Sequence, residues 1–336
     1  MTPSQRRTDR LDEDDVRVRP GRTKSRPRSK VRPGHSEAAH GFVTAVDRGR
    51  FTVTLDETHE RRSVFAIKAR ELGRKGLVVG DDVALVGDLA GGSDALARIV
   101  RRRPRHTLLR RTADDVDPVE RVVVANADQL GVVVAVADPE PRTRLIDRAL
   151  VAAYDAGLEP LLIVTKVDLA PPGPLLDIYA PLGVPAIVRQ RGADLTDVRA
   201  RLAGRATVLL GHSGVGKSTL VNALVPDAER ATGQVNAVTG RGRHTSTSAV
   251  ALALPGGGWV IDTPGIRSFG LAHVELARFM RAFPDLEPGT AECPRSCPHD
   301  GEHCALDEYV RREGIDPERL ASLRRLLASR TSNDEV

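Results

Sequence analysis

Residues 206–224 read ATVLLGHSGVGKSTLVNAL and contain the whole pattern G-x-x-x-x-G-K-[ST] between positions 211 and 218. A mostly apolar run at 206–210 predicts a buried β-strand before the pattern, and residues 219–224 predict a helix after it. Glycines at such a junction let backbone N–H groups surround a phosphate, and the helix N-terminus adds positive potential. The sequence therefore predicts a phosphate-binding loop. A glycine-rich turn that matches by chance is the alternative, and the strand–loop–helix context argues against it.

Two side chains of this loop have distinct expected roles. Lys217 is expected to contact the β- and γ-phosphate oxygens, and the Ser218 hydroxyl is expected to ligate Mg²⁺. The loop by itself does not choose between ATP and GTP. The predicted phosphate-binding residues are Gly211, His212, Ser213, Gly214, Val215, Gly216, Lys217, Ser218 and Thr219.

The choice of base rests on Thr165-Lys166-Val167-Asp168, which follows a predicted strand and resembles the [NT]-K-x-D motif of GTPases. An Asp carboxylate accepts two parallel hydrogen bonds from guanine N1–H and the exocyclic amine, a donor pair that adenine lacks. We expect Asp168 to bind guanine and the aliphatic stem of Lys166 to lie along the base. Thr165 stands where Asn is usual and offers a hydroxyl instead of an amide, which is expected to weaken nucleotide affinity somewhat.

A third motif lies at residues 259–265, which read WVIDTPG and resemble D-x-x-G. Asp262 is expected to hold Mg²⁺ through water, and the Gly265 N–H is expected to sense the γ-phosphate. The alternative is a hairpin strand that ends in an ordinary Pro-Gly turn.

Residues 240–247, GRGRHTST, lie between these motifs, where a first switch belongs. Thr245 or Thr247 is expected to complete the Mg²⁺ shell, and the sequence does not decide which. Ile266 stands where Ras-like proteins place a Gln that orients water, and an apolar side chain cannot do this. Slow intrinsic hydrolysis is therefore expected, with His244 as the predicted catalytic residue that orients water. A loop histidine that contacts RNA or nothing is the alternative.

The motifs come in an unusual order. Asp168 precedes Gly211 by 43 residues, whereas ordinary GTPases place the guanine-binding motif last. The same sheet forms if the usual termini are joined and the chain is opened elsewhere. The sequence therefore predicts a circularly permuted GTPase domain, built on a mostly parallel sheet covered by helices.

The residues before this domain show a different sequence pattern. Short alternating segments separated by turn signals predict five strands, at 42–46, 50–55, 63–67, 83–86 and 95–100. Five short strands in about 60 residues are typical of a small β-barrel, most commonly an OB-fold. An SH3-like barrel would give much the same pattern.

Charge and hydropathy indicate the kind of partner. The net charge is +5, and residues 17–32 contain eight Lys or Arg and no acid. A second basic run occupies 101–111. Such clusters suit a polyanion such as RNA, although a disordered, solvated tail that aids solubility explains the first run equally well. Without a secretory signal or an apolar run of about 20 residues, the expected location is cytoplasmic, with no membrane partner.

The three cysteines, at 293, 297 and 304, fall within twelve residues. Together with His299 they form a Cys₃His set that suits a closed, structural tetrahedral Zn²⁺ site. We expect this site to hold together a small helical domain with little core of its own. His303 is a rival ligand, and chance clustering of reduced thiols is the alternative.

A permuted GTPase domain between a β-barrel and a Cys/His cluster resembles the RsgA (YjeQ) family over about residues 40–310. The resemblance implies GTP hydrolysis stimulated by the small ribosomal subunit, late in that subunit's maturation, by a protein that binds rRNA. It also implies an OB-fold (37–108), a permuted GTPase domain (109–271) and a mainly helical zinc-binding domain (272–336). The composition of residues 1–36, rich in Arg, Pro, Gly and Ser, predicts a disordered basic tail. We expect a monomer that does not bind DNA.

Two features depart from the family's pattern. The family's second base-contacting segment contains Ser-Ala, whereas Val188 is followed here by Arg189-Gln190, and the zinc-ligand spacing is tighter than usual. Two other functions are compatible with parts of the sequence. One is an RNA-binding assembly scaffold in which GTP is only a conformational ligand. The other is an ATP-dependent kinase or NTPase, which Asp168 argues against.

Overall fold

The computed structural model describes residues 35–55, 62–73, 76–92, 95–112, 120–226, 249–263, 271, 274–301 and 303–331. Most of the predicted basic tail lies outside these residues. So do His244, Thr245, Thr247 and Gly265. Among the described helices, none has the length and apolar character needed to span a bilayer.

The N-terminal barrel is formed by five strands. They are β1 (Ala39–Asp47), β2 (Arg50–Leu55), β3 (Ser63–Lys68), β4 (Asp82–Gly87) and β5 (Ala97–Arg102). The pairing runs β1-β2-β3-β5-β4 and closes from β4 back to β1, and the β3–β5 pair is parallel. Alternate residues such as Val43, Val53 and Leu85 point inward and are fully buried, as the period of two requires. The predicted five-stranded OB-fold barrel is confirmed.

A hairpin that the sequence did not predict follows the barrel. Its strands are β6 (Leu108–Arg111) and β7 (Arg121–Ala125), paired antiparallel. Strand β6 reads LLRR, with two leucines followed by two arginines, so its sequence lacks the apolar alternation that marks a strand.

The GTPase sheet contains six strands. They are β8 (Gln129–Ala135), β9 (Glu159–Thr165), β10 (Ala186–Val188), β11 (Ala206–Leu210), β12 (Val250–Ala253) and β13 (Trp259–Asp262). Their spatial order is β10-β9-β8-β11-β13-β12, with every neighbouring pair parallel except the β12–β13 hairpin. Strand β8 is buried along its whole length. This burial explains its nearly continuous apolar sequence.

The described residues of this domain form four helices. They are α1 (Thr143–Ala156), α2 (Gly173–Tyr179), α3 (Thr196–Leu202) and α4 (Lys217–Leu224). Strands β9 and β10, which follow β8 in the chain, lie on one side of β8. Strands β13 and β12, which follow β11 in the chain, lie on the opposite side of β11. The order therefore reverses between β8 and β11, and ligands of open α/β sheets bind beyond the carboxyl ends of the strands at such a point.

The C-terminal helical region, residues 274–331, contains α5 (Leu276–Met280), α6 (Leu306–Glu313) and α7 (Pro317–Thr331). Asp316 caps α7, because its carboxylate accepts a hydrogen bond from the Glu318 N–H at 2.9 Å. The apolar side chains of the whole C-terminal helical region, including Phe283 and Leu323, lie in the same hydrophobic cluster as those of α1 and β8. We expected little core of its own in this region, and it shares the core of the GTPase sheet.

Candidate nucleotide-binding site and metal-binding cluster

The predicted phosphate loop lies between β11 and α4, at the point where the strand order reverses. A Cβ at Gly211 would lie 2.5 Å from the Val133 carbonyl oxygen, so only glycine fits beside β8. Gly214 and Gly216 have φ of +86° and +94°, values that L side chains rarely adopt. The pattern glycines therefore shape the loop, and Lys217 begins the helix behind it.

Lys217 and Asp262 meet at the open side of this loop. The Lys217 ammonium forms an ion pair with the Asp262 carboxylate, which stands at the end of β13. Thr263, the next residue, donates a hydrogen bond from its hydroxyl to the Leu209 carbonyl at 3.0 Å. The lysine predicted to bind phosphate and the aspartate predicted to hold Mg²⁺ are thus held together, although 45 residues separate them. The Ser218 hydroxyl and this carboxylate are oxygen donors of the kind that Mg²⁺ prefers.

Thr165 connects the guanine motif with the phosphate loop. Its hydroxyl lies 2.7 Å from the Val215 carbonyl oxygen and 3.2 Å from that of Val134. A hydroxyl carries one proton and therefore donates to one carbonyl at a time. In the sequence, Thr165 only stands in place of the usual Asn. In the structure, its hydroxyl links the guanine motif to the phosphate loop, 50 residues further along the chain.

Lys166 has φ of +58°, which turns the chain sharply after β9. Its ammonium contacts the Asp138 carbonyl oxygen, in the loop that follows β8, and lies 3.9 Å from the Asp138 carboxylate. The Leu169 N–H donates to the Lys166 carbonyl at 2.9 Å, and this turn leaves Asp168 exposed to solvent. Asp138 was missed by the sequence interpretation. The only available signal was its place as a polar residue just after a buried strand.

The four predicted metal ligands come together in the C-terminal helical region. The ligand atoms of Cys293, Cys297, His299 and Cys304 all lie within 4.8 Å of one another. The Cys293 Sγ lies 3.5 Å from His299 Nδ1 and 3.8 Å from Cys304 Sγ. A tetrahedral zinc ion with Zn–S bonds of about 2.3 Å separates two sulfur atoms by about 3.8 Å, so the cluster has the right size. His303 does not belong to it.

Two side chains of this cluster have shifted pKa values. Burial raises the pKa of the Cys304 thiol to about 11, whereas metals bind the thiolate. Burial, and then the charge of Arg324, lower the pKa of His299, which leaves a ring nitrogen free of its proton. Arg324 also donates to the His299 carbonyl at 3.3 Å and to the Asp307 carboxylate, and thereby fixes the ligand's backbone.

A parallel sheet with a phosphate loop at its switch point, and a guanine motif that precedes that loop in the chain, define a circularly permuted P-loop GTPase. The family model described as RsgA GTPase matches residues 102–272. A relative from Pseudomonas aeruginosa (strain LESB58), named small ribosomal subunit biogenesis GTPase RsgA, is 40% identical over 268 residues, or 77% of each protein. A relative of the same name from Azotobacter vinelandii is 40% identical over 263 residues, or 75% of each.

Solved structures agree with this assignment. YjeQ from Thermotoga maritima superposes with a TM-score of 0.61 at 26% identity, covering 88% of this chain and 99% of that one. YloQ, described as a circularly permuted GTPase, gives a TM-score of 0.64 at 21% identity over 91% of this chain and 100% of its own, a likeness of fold. The chain belongs to the RsgA GTPase family. It is a GTP-hydrolysing enzyme that uses Mg²⁺.

Proposed function

We propose that this protein hydrolyses GTP to GDP and phosphate on the small ribosomal subunit, late in that subunit's assembly. The observation that carries the proposal is the convergence of the permuted motifs on one site, where Thr165 contacts the phosphate loop and Lys217 contacts Asp262. The names of the relatives, small ribosomal subunit biogenesis GTPases, supply the partner. Because the partner is a ribosomal subunit, we further propose that the nucleic acid bound is rRNA and that the protein acts in the cytoplasm. It acts as a monomer and binds neither DNA nor a membrane.

The proposed site residues divide the work. Asp168 holds the guanine edge, with Lys166 along the base, and Val167 lies in the turn between them. The loop from Gly211 to Thr219 encloses the phosphates, and Lys217 contacts the β- and γ-phosphate oxygens. Mg²⁺, when bound, neutralises charge on these phosphates.

We assign the Mg²⁺ ligands to Ser218, Asp262 through water, and Thr245 or Thr247. The Gly265 N–H senses the γ-phosphate. The attacking water forms the new P–O bond as the bond to the β-phosphate breaks, and His244 orients that water.

The partner is tested by the GTPase rate of the purified protein with and without small ribosomal subunits. We expect slow turnover alone and a strong increase with small subunits, with large subunits as the matched control. His244→Ala should lose the stimulated turnover and keep nucleotide affinity, whereas Lys217→Ala should lose both. Subunit binding that depends on a non-hydrolysable GTP analogue, without any stimulation of hydrolysis, would instead support the RNA-binding scaffold.

We also propose that the Cys₃His cluster holds one structural Zn²⁺, because its four protein ligands leave no open position for catalysis. Metal analysis of the purified protein should give one zinc per chain. His299→Ala should lose the metal, and His303→Ala, the matched control, should retain it. Equal zinc content in both variants would assign the fourth ligand elsewhere. We also propose that the tail, the OB-fold and the GTPase domain end at residues 36, 108 and 271, and that the zinc-binding domain follows.

A further inference from the structure

The loop after β10 contains a buried arginine. Only 9% of the Arg189 side chain is exposed, although most of the neighbouring residues from 190 to 197, including Arg191, are exposed. An arginine is rarely buried unless its donors are matched, because removing its charge from water is costly. The burial of this side chain in an exposed loop therefore requires specific partners.

Those partners are the loop itself. The Arg189 guanidinium donates to the carbonyl oxygens of Ala193, at 2.6 Å, and of Asp194. It also donates to the Asp197 carboxylate at 3.1 Å, and the same carboxylate accepts from the Val198 N–H at 2.8 Å in the first turn of α3. One planar group thus fixes the loop from residue 189 to the start of the helix.

This loop lies beside the guanine motif. Strand β10 pairs parallel with β9, with Val188 opposite Val164, and the Arg189 N–H continues the ladder to the Val164 carbonyl at 2.6 Å. Neighbouring strands lie about 4.8 Å apart, so the loop after β10 is one strand spacing beyond the turn that bears Asp168. A base that presents one edge to Asp168 presents the adjoining edge to this loop.

The chemistry of that edge is specific. Guanine has an acceptor, O6, next to the N1–H that Asp168 binds, whereas adenine has an amino donor at this position. The Arg189 N–H already donates to the Val164 carbonyl of β9. The N–H groups that follow it, beginning with Gln190, therefore lie beyond the end of the pairing between β10 and β9. Backbone N–H groups held at this place accept guanine and reject adenine.

We propose that Arg189 is a positioning residue for guanine recognition, and that it shapes the 189–197 loop so that the Gln190 backbone N–H donates to guanine O6. Arg189 itself touches no part of the nucleotide. The proposal rests on guanine binding by Asp168. It does not depend on the ribosomal partner, because the test uses the isolated protein.

The test compares the affinities of GDP, 6-thio-GDP and IDP in wild type, Arg189→Ala, Arg189→Lys and Arg191→Ala. Arg191→Ala removes the same charge from the same loop and is the matched control. Sulfur is a weak acceptor, so 6-thio-GDP weakens the O6 contact and keeps the N1–H and amine that Asp168 binds. IDP keeps O6 and lacks the amine.

We expect Arg189→Ala to weaken GDP binding about tenfold, the value of one well-placed hydrogen bond, and Arg191→Ala to bind like wild type. The wild-type preference for GDP over 6-thio-GDP should shrink in Arg189→Ala, whereas the GDP-to-IDP ratio should not change. KM for GTP should rise in Arg189→Ala with kcat unchanged, and Arg189→Lys should fall between wild type and Arg189→Ala.

An equal loss for all three nucleotides in Arg189→Ala would indicate general collapse of the site and overturn the proposal. So would wild-type affinities in that variant. If Arg189→Ala does not fold, the wild-type protein still decides: no preference for GDP over 6-thio-GDP would mean that no O6 contact exists. Arg189→Lys then supplies the test of the side chain.

Discussion

The barrel and the C-terminal helical region adjoin the same GTPase sheet, and they are attached to it differently. The barrel continues the sheet at its edge, where β1 pairs antiparallel with β12 through Ala45 and Val250. The Phe42 ring stacks on Trp259 of β13, with ring centroids 4.7 Å apart. A second contact is polar, since the Asn126 side chain donates to the Gly80 carbonyl at 2.8 Å. An edge pairing, a hydrogen bond and a few apolar contacts therefore hold the barrel, which otherwise keeps a separate core of its own.

The helical region instead shares a core with the sheet. Tyr154 of α1 makes edge contacts with Phe279 and Phe283, at 6.1 Å and 5.3 Å between ring centroids. Burial raises the pKa of Tyr154 to about 12, as expected in such apolar surroundings. The contact also includes a buried arginine, since Arg148 of α1 donates to the Ser329 carbonyl at 2.7 Å.

The difference suggests which part of the molecule can respond to nucleotide. A movement of the helical region against the sheet would break a continuous apolar core, at a cost of many kcal/mol. A tilt of the barrel disturbs a smaller contact, which consists of an edge pairing, the stack of Phe42 on Trp259 and a few hydrogen bonds. Strand β12, to which the barrel is attached, directly follows the predicted first switch in the chain. The barrel is therefore the better placed of the two to follow the state of the switch.

The largest expected effect tests whether the two cores are independent. Phe283→Ala and Phe51→Ala remove the same buried ring from the shared core and from the barrel core, and each should cost about 4 kcal/mol of local stability. We expect Phe283→Ala to lower the temperature at which GDP binding is lost on heating, because the core that contains Phe283 includes the GTPase sheet. Phe51→Ala should unfold the barrel in a separate transition and leave GDP binding intact. Loss of GDP binding in both variants would mean that the barrel and sheet unfold as one unit.

A smaller effect is expected at the polar contact beside the barrel. Asp81 is fully buried and pairs with Arg105, whose Nε lies 2.6 Å from the carboxylate. Arg105→Met leaves that carboxylate buried without its charged partner, which should cost about 3 kcal/mol in urea unfolding. Arg110→Met, which breaks the exposed pair with Glu120, should cost less than about 1 kcal/mol. Similar costs for the two variants would show that the buried pair does not stabilise the junction.

The aromatic stack between barrel and sheet is expected to contribute less. Phe42→Ala should lower stability by about 2 kcal/mol, because it removes both the aromatic pair and the apolar area of a half-buried ring. Trp259 is the single tryptophan of the chain, so its fluorescence reports on this contact alone. We expect a red-shifted emission in Phe42→Ala and a wild-type spectrum in Phe42→Tyr, which keeps the ring. An unchanged emission maximum in Phe42→Ala would contradict the contact.

The smallest expected effect concerns an ion pair at the rim of the shared core. A hydrogen bond from Arg319 lowers the pKa of Asp285, so the folded state favours the charged carboxylate. Its stabilisation is present above the unfolded pKa of about 3.9 and is lost as the pH falls through the lower folded value. Asp285 is partly exposed, and Asp285→Asn should therefore cost less than about 1 kcal/mol at pH 7.

The same comparison in acid supplies the check on this pair. Chemical unfolding of wild type and Asp285→Asn should differ at pH 7 and converge once the pH falls below the lowered folded pKa of Asp285. Glu308→Gln, in an exposed pair with Arg311, is the control and should show no difference at either pH. A gap between wild type and Asp285→Asn that persists in acid would assign the effect to packing rather than to charge.

The sequence alone determined what is local in the chain. The phosphate loop could be predicted because glycines at fixed positions relieve strain at positive φ and leave room beside β8, and these requirements fall within eight residues. The four metal ligands lie within twelve residues, and the structure brings them together. The barrel strands were visible because alternation of apolar and polar residues is imposed by the strand itself.

Only the tertiary structure decided how these parts meet. The contact of Thr165 with Val215, the burial of Arg189 within its own loop and the attachment of β1 to β12 all depend on which surfaces face one another. The same holds for the apolar residues of the helical region, whose hydropathy reads alike whether they build a separate core or join a shared one. Composition and periodicity specify that a face is buried, whereas the partner that buries it is chosen by packing between segments that lie far apart in the chain.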